Sequence, residues 1–264
     1  YVQMPDFSQN FNRYTYCLNN PLVYKDENGE FIIAFFSHFI KGLVKKQNPF
    51  KSGWQGVKNE YMLLKGLFSG GSQRTKSRFT RELPQTTAGF WASYFSNLFG
   101  FTRKVSSWGG ATVSQLEPAF LKGSKAFTLG SYIMGGSSIE ADPDNVIFQH
   151  EYGHYLQSQE MGWSYLFKVA IPSLKSAAGD GMHCFFKTEQ DANMRSLIYM
   201  SENVEGFYRT KDQLDKDKGW NFLKNPLDPN SERVRGRYYD VRDASVRSDL
   251  IKSLSLTGGL WYIR

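Results

Sequence analysis

The chain has 264 residues, 41% of them apolar, with 21 Phe, 15 Tyr and a formal charge of +7. That is enough apolar material for a sizeable buried core, and it excludes a disordered or fibrous chain. Two cysteines, Cys17 and Cys184, are too few for a disulfide framework, and neither a signal-like segment nor a run of eighteen apolar residues is present. The positive charge favours anionic partners, whether nucleic acid, lipid head groups or an acidic protein, without choosing among them.

Residues 1–30 are dense in Asn, Tyr and turn residues. Tyr14, Tyr16 and Leu18 alternate as a strand does, and the clusters Asn19–Pro21 and Asp26–Gly29 close turns, so the segment reads as hairpin material. NRYTYCLNNPLVYKDENGE, residues 12–30, resembles the closing segment of the Rhs-repeat-associated core. The resemblance implies a β-cage shell that ends here and a variable toxin domain beyond it. Asp26 matches the aspartate of that family's self-cleavage motif, with Glu27 where the family has proline. Taken alone, Asp26 is an Asx-turn residue.

FIIAFFSHFIKGLV, Phe31–Val44, is interrupted by Ser37, His38, Lys41 and Gly42 and predicts a buried or amphipathic helix rather than a membrane-surface one. The basic, glycine-punctuated stretch Lys45–Arg81 reads as connector or exposed loop. After Gly109 and Gly110, AFTLGSYIM (Ala126–Met134) has the β-branched and aromatic content of a strand and stops at Gly135. Asp144 or Asn145 then caps a helix that runs to about Gln159, with Gly162 as its stop. A second helix is expected over Thr188–Tyr199, capped by Thr188. From Lys211 onward the chain is charged and loop-rich.

The first of these two helices carries FQHEYGHYLQSQ, residues 148–159. At about 100° per residue, His150 and His154 stand one turn apart on one face, where both imidazoles reach a single ion. Glu151 projects beside them, placed to take a proton from a water on that ion. Zn²⁺ suits this arrangement because it lowers the pKa of its water to roughly 7. With four His and twelve Glu in the chain, the chance expectation for His-Glu-x-x-His is roughly 0.003, so coincidence is a poor account. Gly153 costs about 1 kcal/mol relative to alanine inside a helix, which points to close backbone approach, with the Ala126–Met134 strand as the natural neighbour.

A third ligand must come from elsewhere, and Glu189, His183 and Asp191 are the candidates. On a helix from Thr188, Glu189, Ala192 and Asn193 share a face; Glu189 then points to the metal and Asn193 orients a ligand imidazole. This pattern resembles the gluzincin metallopeptidases, whose third ligand is a helical glutamate; Asn193 stands where that family has a carboxylate. HEYGHYLQS followed by EQDAN also resembles the Rhs-linked toxin tails of Bacteroidetes, over about residues 109–199. That resemblance implies a metallopeptidase-like toxin, a cognate immunity protein, and delivery by the Rhs shell and a type VI secretion apparatus into a target bacterial cell.

An oxyanion donor could come from Tyr132, Tyr155, His183, Tyr208, Tyr238 or one of several arginines, and none is singled out. The arginine–tyrosine stretch Ser231–Arg247 is diluted by Asp240 and Asp243 and reads as a solvated face, so no specific nucleic-acid partner is expected. The expectation is an α+β, zincin-like fold divided into an Rhs remnant (1–30), a helical and loop-rich part (31–108) and a catalytic region (109–264). The expected function is a zinc peptidase acting on a protein or peptide. A nucleic-acid-directed toxin and a non-catalytic binding module are the rivals.

Overall fold

The computed structural model describes residues 30–121, 125–178, 183 and 186–205. Residues 1–29 (Asp26 among them), Cys184 and the stretch 231–247 lie outside them. The described chain is α+β, with seven α-helices and a four-stranded sheet.

Helix α1 (Glu30–Val44) forms where expected but lies the other way round. Its buried stripe is Ala34, His38 and Gly42, small or polar residues one turn apart, while Ile32, Ile33, Phe36, Ile40, Leu43 and Val44 are exposed. Close packing is the reason, because α1 lies tightly on α2 (Pro49–Gly66) through glycines. A Cβ on Gly56 would press on the His38 ring at 2.6 Å, and one on Gly53 on the Phe35 ring at 2.7 Å. The glycines that read as loop punctuation are therefore contact points. Lys45–Arg81, expected as a connector, instead holds α2 and α3 (Ser72–Arg78), with Asn48 capping α2 and Pro49 in its first turn.

After α4 (Leu83–Leu98) comes the sheet, ordered β1 (Thr102–Trp108), β2 (Ala111–Leu116), β4 (Tyr132–Gly135), β3 (Ala126–Leu129). The β1–β2 hairpin turns at Gly109 and Gly110, both at positive φ, and so spans the boundary drawn at 108/109. Ala126–Met134, expected as one strand, is a second hairpin, β3–β4. Its turn needs Gly130, which sits at φ +59° where a Cβ would overlap Thr86. β2 and β4 run parallel, which leaves β3 as an edge strand.

Alternation along the strands splits the two faces of the sheet. Tyr132 and Val105 point to α2 and α4, packing with Leu63 and Tyr94. Thr128 and its partner Ile133 point the other way, toward α5 (Val146–Met161). A 3₁₀ turn (Gly162–Ser164) and a π turn (Leu166–Ala170) lead to α6 (Ile171–Ala177), and α7 (Lys187–Asn203) lies against α5. Thr188 is not the cap of α7, which starts after Phe186; its hydroxyl donates instead to Glu189 Oε1 at 3.0 Å. Among the described residues no helix is long and apolar enough to cross a membrane.

Candidate metal centre

Asn145 starts the helix that carries the centre. Its side-chain oxygen accepts from the Phe148 N–H at 3.0 Å, and Gly162 stops the helix at φ +57°. Within α5, Phe148, Gln149 and every residue from Glu151 to Glu160 are buried. So polar a helix is buried only because its side chains find partners. Ser158 donates to Glu82 Oε1 at 3.0 Å, and Gln159 to the Tyr155 hydroxyl at 2.8 Å.

Gly153 lets α5 and α7 touch. A Cβ there would overlap the carbonyl of Ala192, so the helices meet backbone to backbone. The close approach expected at Gly153 is present, although its neighbour is α7 and not the β3–β4 segment. This contact sets Glu189 beside the two histidines. Glu189 Oε2 lies 3.1 Å from Nε2 of both His150 and His154, and the three donor atoms are all within 4.8 Å of one another.

Each imidazole is pinned from behind. His150 Nδ1 pairs with Asn193 Oδ1 at 2.8 Å, and His154 Nδ1 with Gln157 Oε1 at 2.8 Å. An amide oxygen can only accept, so Nδ1 carries the proton and Nε2 is turned into the cluster. Gln157 is fixed in turn, donating to Thr188 O at 2.9 Å and to Asp191 Oδ2 at 2.6 Å. Asp191 accepts from Arg195 Nε at 2.7 Å, and Arg195 also pairs with Glu160. Asp191, a candidate ligand by sequence, is therefore committed to this buried network and stands outside the cluster. His183 lines the same cleft with Nε2 3.5 Å from Glu189 Oε2, also outside the three-atom cluster.

Burial by itself would depress the His154 imidazole, but the adjoining Glu189 carboxylate, helped by Glu151, raises it to about 9. Burial would likewise raise the Glu189 carboxyl, yet His154 and His150 hold it well below the ordinary range. Two imidazole nitrogens and one carboxylate oxygen form a donor set that fits a small divalent ion, and the pinned Nδ1 atoms aim it.

Glu151 reaches the cleft from the same helix. The Thr128 hydroxyl donates to Glu151 Oε2 at 2.6 Å, and the Tyr165 hydroxyl to the Thr128 carbonyl at 3.1 Å. Glu151, the histidines and Glu189 line one cavity of about 320 Å³, walled on its apolar side by β3, Ala170 and Leu174. Gln157, three residues from His154 and so on its face, could have been found from spacing. Thr128 and Tyr165 arrive from other elements and leave no local signal. Of the expected oxyanion donors, Tyr132 donates to Leu63 O and Tyr155 is buried against Gln159, while Tyr208 and Tyr238 lie outside the described residues.

No family model, curated protein or solved structure matches the chain.

Proposed function

We propose that the chain is a zinc-dependent peptidase of zincin-like type, with His150, His154 and Glu189 as ligands and Glu151 as general base. The observation that carries this reading is one cleft that holds three convergent candidate ligands, a separate buried carboxylate and the edge strand of a sheet. A zinc ion held there would supply a polarised water and an electrophile for the substrate carbonyl. Glu151 would take a proton from that water and return it to the leaving amine, with Thr128 steadying its Oε2 through the 2.6 Å hydrogen bond. β3 is the edge strand beside the cleft, with its Thr128 carbonyl taken by the Tyr165 hydroxyl, and an extended peptide would add alongside it through the remaining main-chain groups. Phe127, Leu129 and Leu174 make the wall beside it suited to an apolar side chain.

The motif in residues 12–30 supports placing this domain as the C-terminal payload of an Rhs polymorphic toxin, delivered into a target bacterium and neutralised by a cognate immunity protein. Glu151→Gln tests the chemistry. The variant is expected to keep one metal ion per chain by elemental analysis while peptide hydrolysis falls at least about a thousandfold, as loss of a general base beside the reacting water implies. Undiminished hydrolysis would overturn the assignment of Glu151, and a wild-type chain that binds metal yet cleaves no peptide would leave a binding module.

A further inference from the structure

The layer of helices on the far side of the sheet from the cleft has a charge unlike the rest. Residues 30–66, which form α1, α2 and the turn between them, contain six Lys against two acids, Glu30 and Glu60, and Glu60 is buried. Residues 117–205 carry six basic residues against eleven acidic ones. Nearly all the charge this layer shows to solvent is therefore positive.

The same layer shows solvent its most apolar helix. Ile33, Phe36, Ile40 and Leu43 are each more than half exposed on α1, and successive positions at 100° spread the apolar face over about half the helix. α2 extends this face sideways. Phe50 and Trp54, 65% and 63% exposed, meet the rings of Phe39 and Phe35 edge to face at 5.1 and 5.6 Å. Lys51, Lys58 and Lys65 stand exposed on α2 and Lys46 at the turn between the helices. Beside that turn a cavity of about 710 Å³ is lined by Lys41, Lys45, Lys51 and Arg103, with Glu117 as its one carboxylate.

We infer that the α1–α2 face docks on an anionic lipid bilayer, with its aliphatic and aromatic side chains among the acyl chains and its lysines on the headgroup phosphates. Aliphatic residues at the centre of the patch have no use in stacking on bases, which counts against a nucleic acid. All six cations between residues 31 and 66 are lysines, a residue depleted at protein–protein interfaces and typical of lipid-facing amphipathic helices. Residues 206–264 carry twelve basic residues against eight acidic ones, so the chain's own tail has no net complementary charge. Docked in this way, the protein keeps its cleft on the opposite side of the sheet. The inference does not depend on the peptidase reading.

Co-sedimentation of the full chain tests it, with vesicles of phosphatidylcholine alone and with about a third phosphatidylglycerol. Binding to the anionic vesicles alone is expected. Lys46→Glu with Lys58→Glu should weaken it on the order of tenfold or more, and Phe36→Asp with Ile40→Asp should abolish it, circular dichroism showing all variants folded. Metal content should be unchanged in every variant, which separates failure of docking from failure of the site. The inference is overturned if the anionic vesicles fail to bind or if neither pair of substitutions weakens binding. It is also overturned if Phe36→Asp with Ile40→Asp instead converts a dimer to a monomer, or if hydroxyl-radical labelling finds Phe36 and Trp54 covered in the free chain.

Discussion

Three of the four histidines line the cleft; His38 does not, and its chemistry is that of a core residue. It is 2% exposed, with Nε2 3.1 Å from both the carbonyl and the side-chain oxygen of Asn97. Burial, reinforced by the nearby Lys41 charge, lowers its pKa to about 4. Between pH 6.5 and 4 the unfolded chain therefore binds a proton that the folded chain refuses, and stability falls as pH drops through that window. The loss from this residue is on the order of 3 kcal/mol. Urea unfolding from pH 7 to pH 4.5 should show a steep acid limb that flattens in His38→Gln; an identical slope in the variant would remove His38 as its cause. His154 is equally buried, yet the Glu189 carboxylate shifts it in the opposite direction, to about 9. One residue type in one sequence acquires opposite behaviour from its neighbours.

At the level of elements, the centre depends on how closely α5 and α7 approach, because two of the three candidate ligands come from one helix and the third from the other. Gly153 and Ala192 set that distance. Gly153→Ala raises helix propensity by about 1 kcal/mol yet forces a methyl into the Ala192 carbonyl, and such overpacking costs about 1–3 kcal/mol. The expected outcome is a net loss of stability together with metal affinity reduced at least about tenfold, read by titration against a competing chelator. A stabilised variant with intact affinity would show that the helices can separate without moving Glu189. The buried run from His154 through Gln157, Asp191 and Arg195 to Glu160 ties the same two helices, so positioning of the ligand and clamping of the helices share residues.

Across the molecule, a cation held between α5 and α7 would act as a cross-link that the unfolded chain lacks. At about a thousandfold excess over its dissociation constant, such an ion adds about 4 kcal/mol to stability. Stripping it with a chelator should lower the melting temperature on the order of 10 °C by scanning calorimetry. Glu189→Ala should melt at a temperature that the chelator no longer changes. A wild-type melting point indifferent to the chelator would argue that the cluster is held by protons alone. The charge also divides along the fold, with six lysines against two acids, one of them buried, on the α1–α2 segment and eleven acids against six bases in residues 117–205.

The amino-acid sequence by itself determined the local features: the Asn145 cap, the Gly162 stop, the one-turn spacing of His150 and His154, and the shared face of Glu189 and Asn193. Each is set within four or five residues, by capping or by helical periodicity. Only the tertiary structure decided the rest. The glycines of α2 read as breaks because nothing local tells a loop glycine from one that admits a neighbouring helix; Gly53 and Gly56 are explained by Phe35 and His38. Hydropathy could not orient α1 either, since steric fit at Ala34, His38 and Gly42 outweighed burial of its isoleucines. Thr128 on Glu151 and Gln157 on Asp191 join positions 23 and 34 residues apart, and packing alone brings such pairs together.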